Sequence, residues 1–339
     1  MTDLLPGPRA QAPAPGGAGG AGAPVPGAAP LLRRTGAALL GVLVLLAAWE
    51  LYRAFGPVAG VEVGGQRVLP RADPRSMPGV LEVLRTLATP EVAVPGSRTV
   101  GGAVLAAAAG TLRTAAGGWL LGSLVGVALA VLMQRWRPVE RGLLPYVVLS
   151  QTVPVIAVAP LVAGWGGRLQ LTPQLSWQPW MSVVVLSGYL AFCPVALGAL
   201  RGLASPAPAA VELFTSLTAT RRQELLRLRL PASLPFLLPA LRLAAAQAVV
   251  GSIVAEISTG TRGGTGRLVL EYAQQATSAP GRLYAAVLGA ALLGLLAAGA
   301  VSLLEAALLP HRRTAPANRR TANRRTPNRR TQPTNRRTP

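Results

Sequence analysis

Few side chains in this sequence can do chemistry, and their identities narrow it at once. All 33 basic residues are arginine, there is no lysine, and His311 and Cys193 are the one histidine and the one cysteine. A GxxxxGK[ST] phosphate loop needs its lysine to reach the phosphates, and Schiff-base catalysis needs a lysine amine, so neither can be built here. Cys193 and His311 cannot make a Cys/His zinc site, which takes four ligands or three and a water. A Ser-His-Asp arrangement would depend on His311, which stands in an arginine-rich tail. A lone cysteine permits no internal disulfide. The chain is expected not to be an enzyme and to bind no metal or cofactor of its own.

What remains is a small set of polar groups in apolar surroundings. Glu256 sits in the run 236–258, where an ionisable group is expensive and therefore suspect. It reads as a polar group near the mouth of a path through the membrane, or equally as a hydrated carboxylate at a helix end. Gln151 and Thr152, ahead of Pro154, are further candidates for lining such a path. Arg242, in the same run as Glu256, reads as snorkelling to the headgroups. Gly118, Gly122 and Gly126 recur every fourth residue and allow a neighbouring helix to approach closely. The segment 208–235 is the most patterned. Pro208 suits the first turn of a helix, and Val211, Phe214 and Leu217, then Leu225 and Leu228, stand three apart, with Arg221, Arg222 and Arg227 among them. Pro231 is expected to end this pattern. An amphipathic helix–turn–helix of this kind suits docking in another protein's groove; a solvated basic loop at the headgroups fits the periodicity as well.

The elements that carry these residues read as membrane helices. Apolar residues make up 51% of the chain and charged ones 13%, against about 25% charged in an average soluble protein. Uncharged stretches cover 35–49, 114–134, 142–167, 169–200 and 283–304, and four of them reach the roughly 20 residues that cross a bilayer. The first is extended by Leu51, Tyr52, Ala54 and Phe55, with Glu50 and Arg53 at the interface. Adding 236–258 predicts an all-α integral membrane protein of six transmembrane helices. The loops 134–141 and 201–235 are rich in arginine, and positive loops stay cytoplasmic. Both termini are thus expected inside, with 56–110, 168–178 and 259–282 outside. Residues 1–34 are expected to be a disordered Pro/Gly/Ala-rich cytoplasmic segment, 35–310 the transmembrane domain with its loop at 202–235, and 311–339 a disordered tail of HRRT and NRRT repeats. That tail holds ten of the 33 arginines and no acid, so the net charge of +21 is unevenly placed and does not point to nucleic acid.

The loop also resembles a known family. Glu212-Leu213-Phe214 followed by TSLTATRRQELLRLRLPASLP is similar to the EAA loop of binding-protein-dependent ABC transporter permeases. Glu212-Leu213-Phe214 replaces Glu-Ala-Ala, Thr218 stands where the family has Gly, and Leu230-Pro231 and Leu234-Pro235 keep the ending. More of the chain resembles the nitrate/sulfonate/taurine-type branch. The likeness runs through Thr111-Leu112-Arg113 to Gly117-Gly118-Trp119, Pro154 to Leu161 with Trp165-Gly166, and Phe192-Cys193-Pro194-Val195. It continues in Ala255-Glu256 and Gly263-Gly264-Thr265-Gly266. In order and spacing it covers 68–309.

The resemblance implies a permease subunit of an importer, sited in a bacterial inner membrane. Two copies would form the path, a substrate-binding protein would deliver a nitrate-, sulfonate- or taurine-like solute, and separate ATPase subunits would hydrolyse the ATP. Glu212, Leu213, Phe214 and Thr218, with Leu230 and Pro231, would couple to the ATPase. Glu212 would orient the coupling helix by a charge effect at the helix start or by a contact across the interface. A permease for a pyrimidine-type vitamin precursor, and an ion-coupled secondary carrier, are the alternatives.

Overall fold

The computed structural model describes residues 29–308 apart from positions 59, 64–65, 70, 74–75, 93, 169 and 173–174. Most of the N-terminal Pro/Gly/Ala segment and the 311–339 repeats, His311 included, lie outside the described residues. The chain divides after Ala72 into two compact units. The first holds α1 (Ala29–Phe55) and a short antiparallel pair, β1 (Val61–Val63) with β2 (Gln66–Leu69). The first expected span lies within α1, and Glu50 and Arg53 form an ion pair at 3.0 Å near its end.

The second unit runs α2 (Val80–Leu87), α3 (Val100–Arg135), α4 (Arg137–Leu149), α5 (Val155–Arg168), a second small pair β3 (Gln170–Thr172) and β4 (Leu175–Ser176), then α6 (Pro179–Leu203). After it come α7 (Pro208–Ser216), α8 (Arg221–Glu224), α9 (Leu230–Thr259), α10 (Thr265–Gln274) and α11 (Pro280–Leu308). Four helical runs among the described residues are long and apolar enough to cross a bilayer: Val100–Arg135, Pro179–Leu203, Arg221–Thr259 and Pro280–Glu305. A bent pair, Arg137–Thr152 with Val155–Arg168, makes a fifth if it is counted as one span.

Three expectations are corrected here. Charged residues do not bound the second span: α3 begins at Val100, capped by the Thr99 hydroxyl accepting from Gly102 N–H at 3.1 Å. It carries Arg113 on an exposed face, on the wall of a cleft beside α6. The third span is no continuous helix. It turns through 101° between Thr152 and Val155, because Pro154 pushes Val153 into extended backbone (φ −76°, ψ 121°). The phenol of Tyr189 on α6 donates to the Ser150 carbonyl at this break. Pro231 does not end the helix ahead of the fifth span. Residues Leu225–Arg229 form a π turn, and Leu230 N–H reaches back five residues to the Leu225 carbonyl. That wider turn relieves the clash of the proline ring with the carbonyl four residues earlier, so α8 runs on into α9.

α6 sits at the centre, packed against α3 and α9, with α11 beyond them. The core is built of small residues: Ala115, Ala191, Ala244 and Ala248 with Val195, Val249 and Leu293. Gly118, Gly122 and Gly126 face α6 of the same chain, where added Cβ atoms would overlap Ser187, Gly188 and Ala191, and Val195. Close approach lets Ser187 Oγ donate to the Ala248 carbonyl at 2.8 Å. Arg242 leans on α11, 3.8 Å from Glu305 and 3.3 Å from Ser302 Oγ, instead of reaching only for headgroups.

Candidate functional site

The loop between α6 and α9 is assembled from two capped helices. Pro208 opens α7, and its end is a Schellman motif: Ala219 N–H bonds the Phe214 carbonyl and Thr218 N–H bonds Thr215, each at 3.0 Å. The motif puts its C′ residue in the left-handed region, and that residue is Thr218, at φ +52°. A β-branched side chain is strained there. Thr220 then starts α8 with a capping box: its hydroxyl accepts from Gln223 N–H at 3.3 Å while Gln223 Oε1 accepts from Thr220 N–H at 2.8 Å. The turn is thus fully specified without glycine. Thr218→Gly is expected to raise the stability of the purified subunit by about 1 kcal/mol, read as a higher melting temperature in detergent.

α7 buries no residue. Glu212 and Thr218 are exposed, and Leu213 and Leu217, one turn apart, are 57% and 66% exposed. Phe214 is half-buried, as is Leu230, while Pro231 is exposed. Glu212 is the fifth residue of α7, past the first turn where a helix dipole acts. Of the two ways to orient the helix, the charge effect at its start therefore fails on geometry.

A residue pair that periodicity passed over anchors this loop. Glu224 is 8% exposed and its Oε1 accepts from Arg229 Nε and Nη2, both at 2.7 Å. Arg229 Nη1 also donates to the Leu203 carbonyl at the end of α6, at 2.9 Å. With its amide oxygen turned to the guanidinium, Gln134 of α3 accepts from it at 3.2 and 3.3 Å. One guanidinium therefore joins the loop to the ends of two long helices. Both partners were in the sequence as Glu224 and Arg229, five apart across a π turn, a spacing that α-helical pairing rules do not search.

At the other end of α9, Glu256 is 2% exposed. Its carboxylate accepts from Thr111 Oγ1 at 2.9 and 3.0 Å and from Gly266 N–H at 2.8 Å. Thr111 Oγ1 in turn accepts from Thr265 N–H at 2.7 Å. Glu256 and Thr111 thus take up free N–H groups in the first turn of α10, where negative charge is also favoured. A Cβ on Gly264 would overlap the carboxylate itself, and one on Gly266 the Ile253 carbonyl. In the same cluster of helix ends Tyr272 donates to Glu91 at 3.1 Å. Burial, then this hydrogen bond to Glu91, push its phenol up to about 12, so it remains a donor at physiological pH.

Two clefts flank α6. One, of about 430 Å³, is lined by Gln151, Cys193, Arg201 and Gln247 among apolar groups; Gln247 is a polar residue in an apolar run that the sequence reading passed over. The other, of about 450 Å³, has Arg113, Trp180, Arg262 and the edge of Glu256 on its wall. Gln151 and Glu256 thus line different clefts. Thr152 and Pro154 are exposed at the bend, and the Thr152 hydroxyl is bonded to the Leu149 carbonyl at 2.8 Å.

This set of long apolar helices agrees with comparison to known proteins. The formylaminopyrimidine transport permease protein of Halalkalibacterium halodurans is 36% identical over 207 residues, spanning 60% of this chain and 76% of that protein. The putative aliphatic sulfonates transport permease protein of Bacillus subtilis is 30% identical over 204 residues, 60% and 69% of the two chains. The taurine transport system permease protein of Escherichia coli is 33% identical over 146 residues, 42% and 47%. Residues 122–310, more than half of the chain, match the family of binding-protein-dependent transport system inner membrane components. The chain belongs to that family: it is an ABC transporter permease, a membrane subunit whose ATPase and substrate-binding partners are separate proteins.

Proposed function

We propose that this chain is the path-forming subunit of an importer in a bacterial inner membrane, working as a homodimer with both termini cytoplasmic. α1 is its first span and the bent α4–α5 pair its third, for six in all. A substrate-binding protein delivers the solute on the outer side, and α7 is the coupling helix that seats in an ATPase subunit. The exposed Leu213–Leu217 pair beside Glu212, on a helix with nothing buried, is the observation that carries the coupling reading. Apolar surface left open on a helix closed by a Schellman motif suits a partner's groove.

The solute is a small nitrate-, sulfonate- or taurine-like compound. Two relatives bear the names of such solutes, and Arg113 with Arg262 on the wall of one cleft suits an anionic head. A pyrimidine-type vitamin precursor is the second reading, favoured by the name of the 36% identical relative.

The test is uptake into proteoliposomes holding the subunit, its ATPase and its binding protein. Glu212→Ala and Leu217→Asp are expected to cut solute-stimulated ATP hydrolysis and uptake at least tenfold while insertion and melting temperature hold, since both side chains are exposed. Undiminished uptake in both variants would sink the coupling reading. Ligand binding by the cognate binding protein decides between the two solute classes.

A further inference from the structure

The loop that carries α7 also forms, with the C-terminal end of α3, a cleft of about 590 Å³. We propose that this cleft binds the headgroup of an anionic phospholipid of the inner leaflet; the proposal rests on the cytoplasmic placement of the loop proposed above. One end of the cleft is apolar, with Ala128, Val131 and Leu132 of α3. The other carries Arg135, Arg221, Arg222 and Arg229 against a single carboxylate, Glu224. That carboxylate is already held by Arg229 at 2.7 Å and faced by Arg221 at 3.8 Å, so the four guanidiniums exceed the acid by three positive charges. Arg135 and Arg222 are exposed, and the Arg221 side chain is 78% exposed.

The gradient from apolar to cationic within one cleft selects an amphiphile. A soluble anion would leave the α3 wall wet, and a zwitterionic lipid would leave the guanidiniums uncompensated. A phosphodiester with a net negative charge meets both ends: guanidiniums hold phosphate through paired N–H donors, and the acyl chains continue along Leu132 into the bilayer. Trp136, half-exposed, with Arg135 5.7 Å from its ring centre, is the side chain expected at headgroup depth. Because Arg229 ties this wall to the Leu203 carbonyl, a lipid seated here braces the coupling loop against α3.

The experiment uses the full-length protein in nanodiscs of phosphatidylcholine with phosphatidylglycerol titrated in, and counts retained lipids by native mass spectrometry. Phosphatidylglycerol is expected to be retained in preference. The triple variant Arg135→Gln, Arg221→Gln, Arg222→Gln should weaken that preference by about fivefold for each arginine lost. Lysine at the three positions should keep most of it, and Arg113→Gln, at the outer end of α3, all of it. A triple variant that retains phosphatidylglycerol like the wild type overturns the proposal. So does inorganic phosphate displacing the lipid at low concentration, which would make this a free-anion site. A preference abolished by adding the ATPase also overturns it, since the arginines would then belong to the protein interface. Leu217→Asp separates the two readings: it should abolish coupling and leave lipid retention unchanged.

Discussion

Arg229→Ala is expected to destabilise the subunit by about 3 kcal/mol, because it leaves the Glu224 carboxylate in a nearly closed setting with only the exposed Arg221 at 3.8 Å. Arg229 and Glu224 side chains are only 16% and 11% exposed, so solvent does little to screen the pair. The same change frees the Leu203 carbonyl and Gln134, so the loop loses its tie to α6 and α3 together. Solute-stimulated ATP hydrolysis and uptake should therefore fall apart: the ATPase still turns over on a loosely held α7, while uptake drops by an order of magnitude or more. The double variant Glu224→Gln, Arg229→Met tests the cause. Removing both charges should recover most of the lost stability without recovering uptake, because the apolar side chain cannot bond the Leu203 carbonyl. Thermal melting and the ratio of solute moved to ATP hydrolysed measure the two effects. Tight coupling in Arg229→Ala would show that the pair holds the loop's fold and not its action.

Glu256→Ala should be the most damaging single change at the C-terminal end of α9, costing about 3 kcal/mol or more. It opens a cavity in a packed site and strips acceptors from Gly266 N–H and the Thr111 hydroxyl. Gly264→Ala attacks the same place from the other side, since its Cβ must displace the buried carboxylate, at about 1–3 kcal/mol for overpacking. Glu256→Gln keeps an oxygen acceptor and should be much milder. The readout beyond melting temperature is trypsin cleavage after Arg262, an exposed residue between Gly260 and Gly263 in left-handed backbone. α10 held by the carboxylate should protect that bond, and both Glu256→Ala and Gly264→Ala should expose it. Equal cleavage in wild type and variants would mean that the clamp does not hold α10.

Much of the frame was legible in the residues. The apolar runs that became α3, α6, α9 and α11 stand out because a chain in hydrocarbon must satisfy its backbone groups within each helix, which demands long uninterrupted apolar stretches. Helix ends were harder. Arg113 looked like a boundary and proved to be a surface residue of a helix begun 13 positions earlier, at Val100. Pro154 broke its helix and Pro231 did not; the difference lies in the π turn before Pro231, which no local pattern announces. At the candidate site, the segment around Glu212 showed through its periodicity and prolines. The Glu224–Arg229 pair did not.

By itself, the sequence determined that this chain is rich in long apolar helices and carries no phosphate loop of its own; the permease reading came from its resemblance to a family. Composition and the absence of lysine act at every position, whatever the fold. Only the tertiary structure decided what the isolated charges do. Glu256 meets Thr111 across 145 residues, and Arg229 meets Leu203 across 26. A hydrogen bond between distant segments depends on how helices pack, and packing is set by the small-residue contacts of α3, α6 and α9 taken together.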